Sequence, residues 1–402
     1  MASQTLRTLA CLAIVAVATA PGSRVAQAQG AAEPPKAAAP GTPVKLAADI
    51  HETIERVPVT VRLIDGRSHT GTMVVTHFRP DGAGPFPVVV LNHGRASDER
   101  AKVPRWRYTP IAHYWTRRGF AVFVPTRLGY GESGVEPDPE LSGACARKNY
   151  GSMLQAATAA VSATLDLAKR QPWADTRRVI VMGISVGGIT TTYAVGRGLP
   201  GIIAGINVAG GAGGNPRTMS AHPCDPGALQ AVYAAAGRTA KAKMLWLYAE
   251  NDKYWGAELP RQWAAAYSGA GGKVDFEMLP PVGDDGHRLI ASFSLWRPRI
   301  DRFLAGLGFA APVSAGAPAA TTFAPLEDAG RIPFIRDTGR EAYAKFLAAD
   351  VPRAFALSRD GAWAFQSGHD AMQRAVERCQ KHTDLPCRLY AVDDAVVWAP
   401  QD

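Results

Sequence analysis

Cysteine is scarce in this chain, with five in 402 residues, and neither a Cys-x-x-Cys nor a His-x-x-x-His occurs. Metal-ligand spacing is therefore lacking, and neither a metal nor another cofactor is expected. An excess of one charge is also small: 44 Lys and Arg against 35 Asp and Glu leave +9, with the cations scattered singly or in pairs. No stripe of cations interleaved with aromatics is present, which speaks against a nucleic-acid partner. Past the first 28 residues, no apolar run approaches the roughly 20 residues that cross a bilayer, so no membrane span is expected in the mature protein. No internal repeat of 20–50 residues is visible either.

What remains is an ordinary globular composition, 47% hydrophobic and 20% charged. Residues 1–28 read as a secretory signal peptide: Arg7, an apolar core over 9–20, and the small-x-small site Ala26-Gln27-Ala28. Cleavage near Ala28 would make the protein periplasmic or secreted. Cys11 lies inside that apolar core and is badly placed for lipid attachment. Its removal leaves Cys145, Cys224, Cys379 and Cys387, an even set that suits two disulfides in an exported protein, with three pairings open. Buried free thiols are the alternative.

Residues 29–48 form an Ala- and Pro-rich linker. From 49 to 309, apolar β-branched runs (57–63, 68–78, 86–92, 120–124, 179–182, 202–208, 243–249, 273–279) alternate with amphipathic stretches (109–118, 153–170, 258–267, 288–304). Within 153–170, Leu154, Ala157, Val161, Leu165 and Ala168 fall three and four apart. This rhythm predicts an α/β fold, a mostly parallel sheet with helices on both faces. A second linker, 310–330, precedes a small α+β unit over 331–402, with helices at 341–348 and 369–381 and strands at 353–357 and 388–392.

Gly183-Ile184-Ser185-Val186-Gly187-Gly188 stands between a buried strand and a helix. A serine among glycines is often just a turn residue, but this strand–turn–helix context is what a nucleophile elbow requires. Asp252 follows the strand ending at Ala249, and His287 follows the last strand in Gly283-Asp284-Asp285-Gly286-His287. Both lie just past strand carboxyl ends, where open α/β sheets gather their sites. Leu91-Asn92-His93-Gly94-Arg95 ends another strand, and Pro125-Thr126-Arg127-Leu128-Gly129-Tyr130-Gly131-Glu132-Ser133 follows a further one.

On these four motifs, residues 49–309 resemble the α/β-hydrolase superfamily, most closely dienelactone hydrolases and prolyl-oligopeptidase-type esterases. The resemblance implies Ser185 as nucleophile, Asp252 as acid and His287 as base, in the family's chain order. It also implies an oxyanion hole from the backbone N–H groups of Val186 and Arg95. Asp284 and Asp285 stand too close to His287 to fit that order. His93 reads as a structural hydrogen-bonding group, and the Arg95 side chain as either ion-paired or facing an anionic substrate. One departure is the Pro-Thr before Arg127, where the family usually carries an acid, so that loop's internal pairing should differ. Residues 207–243, with Gly210-Gly211-Ala212-Gly213-Gly214, read as a short flexible connection over an open cleft. A Cys145–Cys224 bridge would staple its rim, and Cys379–Cys387 would then staple the tail. Trp106, Tyr108, Tyr254 and Trp255 either line a pocket or simply pack.

The expectation is an exported serine hydrolase that cleaves small-molecule carboxylic esters through an acyl-enzyme. The alternatives are an amidase or peptidase of prolyl-oligopeptidase type, and a non-catalytic envelope binding protein on the same fold. The tail resembles small two-cysteine modules appended to exported bacterial proteins, with a structural or a binding role.

Overall fold

The computed structural model describes residues 46–96, 99–309, 317–349, 351–368 and 370–400. The leader and nearly all of the first linker lie outside them. The first strands, β1 (Thr53–Arg62) and β2 (Ser68–Phe78), form an antiparallel hairpin. Its turn is closed by Gly66 at φ +86° and by Asp65, whose carboxylate accepts from the Arg67 N–H. Then come β3 (Phe86–Asn92), α1 (Thr109–Thr116), β4 (Ala121–Thr126), α2 (Tyr150–Lys169) and β5 (Ala174–Ile184). The alternation continues with α3 (Val186–Gly196), β6 (Ile202–Val208), α4 (Pro226–Thr239), β7 (Lys243–Ala249), α5 (Glu258–Gly269), β8 (Val274–Leu279) and α6 (Phe293–Gly306).

The eight strands run in the order β1-β2-β4-β3-β5-β6-β7-β8, parallel from β4 to β8. Period-two alternation divides each central strand between two apolar layers. Ile180, Met182 and Ile184 of β5 pack with α1 and α6 residues such as Trp115 and Trp296, while Val179 and Val181 pack with α2 residues Val161 and Leu165. The sheet is thus covered on both faces, and its central strand β5 ends at the elbow.

Residues 207–243 are not the flexible connection the glycines suggested. Asp225 caps α4 by accepting from the Ala228 N–H at 3.2 Å, and Pro226 occupies its first turn. Leu229 and Tyr233 bury that helix against Trp246 and Trp263. The long last helix is also interrupted: a 3-10 stretch (Gly286–Ala291) precedes α6, and the two meet at Ser292.

The tail is a second unit with α7 (Asp337–Ala348), β9 (Arg353–Leu357), β10 (Trp363–Ser367), α8 (Ala371–Gln380), β11 (Arg388–Val392) and β12 (Ala395–Val396). Its antiparallel sheet runs β10-β9-β11-β12, with α7 and α8 on opposite faces. Packing extends upstream of residue 331. The Thr321 N–H donates to the Val396 carbonyl at 2.8 Å, Tyr343 Oη donates to the Leu326 carbonyl at 2.8 Å, and Phe323 joins the same apolar cluster. Arg118, nearly fully buried, pairs with Asp301 of α6 and Asp394 of the tail.

Both disulfides form within their own units, Cys145 with Cys224 and Cys379 with Cys387. The first closes 79 residues of chain and ties the 143–150 loop to the end of the glycine-rich segment. Replacing Cys145 and Cys224 with serine is expected to cost about 2–4 kcal/mol, read from urea unfolding midpoints, with most of the loss through a less constrained unfolded chain.

Candidate active site

The elbow is built by sterics. Ser185 sits at φ 57°, ψ −122° between β5 and α3, in backbone that L-residues avoid. The residues two positions to either side must be glycine. A Cβ on Gly183 would lie 2.0 Å from the Gly187 carbonyl oxygen, and one on Gly187 would lie 2.2 Å from that of Asn92. The turn lifts the Ser185 hydroxyl off the end of the sheet, where His287 Nε2 stands 3.0 Å from Oγ.

On its other side, His287 Nδ1 is 3.0 Å from Asp252 Oδ2. An ionised carboxylate only accepts, so Nδ1 carries the proton and Nε2 is left to accept from the Ser185 hydroxyl. Asp252 is 2% exposed, and its other oxygen accepts from the Tyr254 and Trp255 N–H groups at 2.8 and 3.1 Å. The carboxylate is therefore fixed in place and faces the ring with the lone pairs it has left.

Two residues that the sequence reading passed over hold the acid loop to the histidine loop. Asp285, considered there only as a rival acid, accepts from the N–H groups of His287 and Lys253, each at 3.0 Å. Asn251 accepts from the Val282 N–H at 2.8 Å and donates to the Gly283 carbonyl at 3.0 Å. An Asp two residues before a turn residue is the local signal that could have found Asp285.

Tyr254 lies face to face with the His287 ring, centroids 3.9 Å apart, and Trp255 meets it edge-on at 5.4 Å. Tyr254 thus packs flat on the His287 ring. Alanine there is expected to lower kcat by up to about tenfold through loss of ring stacking, while phenylalanine restores it; steady-state ester kinetics on the two variants decide. Trp106 and Tyr108 instead stack in series on His93.

The His93-Gly94 loop reaches the elbow closely enough that a Cβ on Gly94 would sit 3.3 Å from Ser185 Cβ. His93 is fully buried; burial, with Arg127 nearby, pushes its pKa well down, so the ring is neutral. Its Nε2 accepts from the Arg127 N–H at 3.1 Å, and its Nδ1 donates to the Gly94 carbonyl at 2.6 Å. Arg127 donates to the His93 and Gly94 carbonyls at 2.7 and 3.3 Å. In a trans peptide the N–H opposes the C=O, so the Arg95 N–H points away from Arg127. Among the described residues it has no acceptor, and neither does the Val186 N–H at the first position of α3.

The missing acid before Arg127 is supplied from further along the chain. Buried Glu140 pairs with the Arg127 guanidinium, accepts from Tyr130 Oη at 2.6 Å, and takes a third contact from Arg95 at 3.3 Å. Arg95 also pairs with Asp138 at 2.5 Å, so its side chain is ion-paired within the protein. Among the described residues, no cluster of three or more His, Cys, Asp or Glu is arranged to hold a metal, and no helix is long and apolar enough to cross a membrane.

The family model for X-Pro dipeptidyl-peptidase (S15 family) matches residues 69–266, which include Ser185 and Asp252 and stop short of His287. Similar solved structures include an acetyl xylan esterase from Paenibacillus sp. R4 (18% identity, 64% of this chain and 89% of that one, TM-score 0.42). They also include an acylaminoacyl peptidase from Pyrococcus horikoshii (15% identity, 64% and 41%, TM-score 0.43). A third is a puromycin-hydrolyzing peptidase from Mycobacterium tuberculosis (18% identity, 66% and 41%, TM-score 0.43). The chain thus spans 41% of the length of each of these two peptidases. No curated protein sequence matches it. The parallel sheet with its antiparallel start, the covering helices and the strand–elbow–helix at its centre give this chain the fold of the α/β-hydrolases.

Proposed function

We propose that the protein is a serine hydrolase that cleaves carboxylic esters through an acyl-enzyme, with Ser185, His287 and Asp252 as its triad. The observation that carries this reading is the unbroken hydrogen-bonded line from Ser185 Oγ through His287 to Asp252, 3.0 Å at each step. Neutral His287 takes the Ser185 proton as Oγ attacks the acyl carbon, then returns it to the departing alkoxide. Asp252 stays ionised, keeps the ring in the productive tautomer and stabilises the imidazolium. The Val186 and Arg95 N–H groups are the donors for the oxyanion. Water then repeats the sequence on the acyl-enzyme. The disulfides suit an oxidising compartment and support reading residues 1–28 as an export leader.

A second reading, cleavage of amides or peptides, is favoured by the match to a dipeptidyl-peptidase model over 69–266. The first chemical step is the same; an amine leaving group simply depends more on proton return from His287. Two measurements test these readings. A fluorophosphonate probe should add one equivalent of mass at Ser185, and labelling elsewhere or none would overturn the triad. Short-chain p-nitrophenyl esters should be turned over faster than aminoacyl and X-Pro p-nitroanilides; the reverse order would transfer the assignment to the peptidase reading.

A further inference from the structure

An open groove of about 860 Å³ lies in the tail rather than at the elbow. It runs along β10, the edge strand of the small sheet, which has β9 on one side and no strand on the other. The ladder register fixes which main-chain groups face outward. The Ser358 N–H donates to the Ala362 carbonyl at 2.9 Å, and the Gly368 N–H donates to the Pro352 carbonyl at 2.7 Å. Between these two hydrogen-bonded pairs the register continues unbroken from Trp363–Leu357 to Ser367–Arg353. Alternation then turns Ala364 and Gln366 toward β9, and Trp363, Phe365 and Ser367 toward the open edge. The Ser367 carbonyl accepts from Arg374 at 3.3 Å. The outward N–H and C=O groups of Trp363 and Phe365 have no partner among the described residues.

The walls of this groove are strongly cationic. Arg336 comes from the start of α7, Arg374 and Arg378 from α8, and His382 from just beyond it. The one acid in the lining, Asp360, is already engaged by Ser358, Thr383 and the Ala362 N–H. Edge strands in stable proteins are usually covered or blunted; this one presents two unpaired residues and flanking cations.

We propose that β10 is a docking strand for an extended acidic peptide, which adds to the sheet edge by main-chain pairing with Trp363 and Phe365 while its carboxylates meet Arg336, Arg374 and Arg378. Strand addition uses donors and acceptors alternately, which an extended peptide supplies and a phosphodiester chain, with acceptors only, does not. Self-pairing of two copies through β10 would bring like cations together across the seam, so a second copy is the wrong occupant. At about 3.4 Å per residue, the five residues of β10 offer roughly 17 Å of edge, enough for a peptide of about five to seven residues. The site is separate from the elbow, and its occupancy does not depend on the hydrolase reading.

The test uses the full chain and fluorescein-labelled heptapeptides alternating valine with glutamate. Anisotropy should report saturable binding that weakens as salt rises. Arg336→Glu combined with Arg378→Glu should weaken it at least about tenfold while leaving p-nitrophenyl acetate turnover unchanged. N-methylation at alternate peptide residues should abolish binding in one of the two phases and spare it in the other. Amide exchange at Trp363 and Phe365 should slow on binding. A lysine-for-glutamate peptide that binds as well would overturn the charge assignment. Indifference to N-methylation in both phases would overturn strand pairing. A failed peptide beside a tightly bound oligonucleotide or heparin would overturn the choice of ligand.

Discussion

Alanine at position 185 is expected to reduce kcat for p-nitrophenyl acetate by a factor on the order of 10⁴–10⁶, with little change in KM. The hydroxyl is the only atom of the elbow that can form the acyl bond, and its removal leaves the ring of His287 3.0 Å from nothing that can attack. The Val186 and Arg95 N–H groups and whatever binds the substrate remain, which is why residual turnover should still exceed that in water. His287→Ala should cost a similar factor, and the double variant little more, because the residues act as one unit. Independent, multiplying losses would mean that serine and histidine serve different reactions. Retention of activity within tenfold in Ser185→Ala would place the nucleophile elsewhere.

Glu140→Ala is expected to destabilise the protein by about 3–5 kcal/mol, because it leaves the Arg127 guanidinium buried without its counter-ion. At 2–4 °C per kcal/mol for a domain of this size, the melting temperature should fall by roughly 10 °C, measurable by calorimetry. Activity should fall as well, although Glu140 touches no reacting atom. Arg127 would lose its anchor and with it the grip on the His93 and Gly94 carbonyls that turns the Arg95 N–H outward. The acid limb of stability adds a second signature. Burial raises the Glu140 carboxyl, but Arg127, Arg95 and the Tyr130 hydroxyl outweigh it, so the pKa is lowered from the ordinary 4.5. A group lowered by folding contributes fully above its unfolded value and loses that contribution as pH falls through the folded one. Glu140→Gln should therefore flatten the loss of stability below about pH 4.5. An unchanged acid limb would assign it to other carboxylates.

The strands were readable because each is a short β-branched or apolar run bounded by turn residues; β2, β3, β6 and β7 fall where the pattern put them. The elbow, acid and histidine stood out because sterics impose glycines around the serine and strand ends dictate where partners can sit. Less local features did not show. Helix α4 has local signals in Asp225-Pro226 and its five alanines, but the burial of Leu229 and Tyr233 between α3 and α5 that fixes its place is a tertiary fact. Ser292 divides the last helical stretch into a 3-10 segment and α6, and no local residue pattern announces that. Glu140 pairs with Arg127 from thirteen residues further along the chain, so only the folded loop reveals the pairing. In the tail, β10 carries no β-branched residue and β12 is two residues long, too little pattern for a strand to be read.

The backbone at Ser185, with φ 57° and ψ −122°, sets reactivity and thermal robustness against each other at one position. Glycine would occupy that geometry at ease, relieving about 1 kcal/mol or more of conformational cost. The Ser185→Gly protein is thus expected to melt higher than its parent and to be chemically inert. Stability alone would favour the glycine, so a side chain at this position is a conformational cost that packing does not explain.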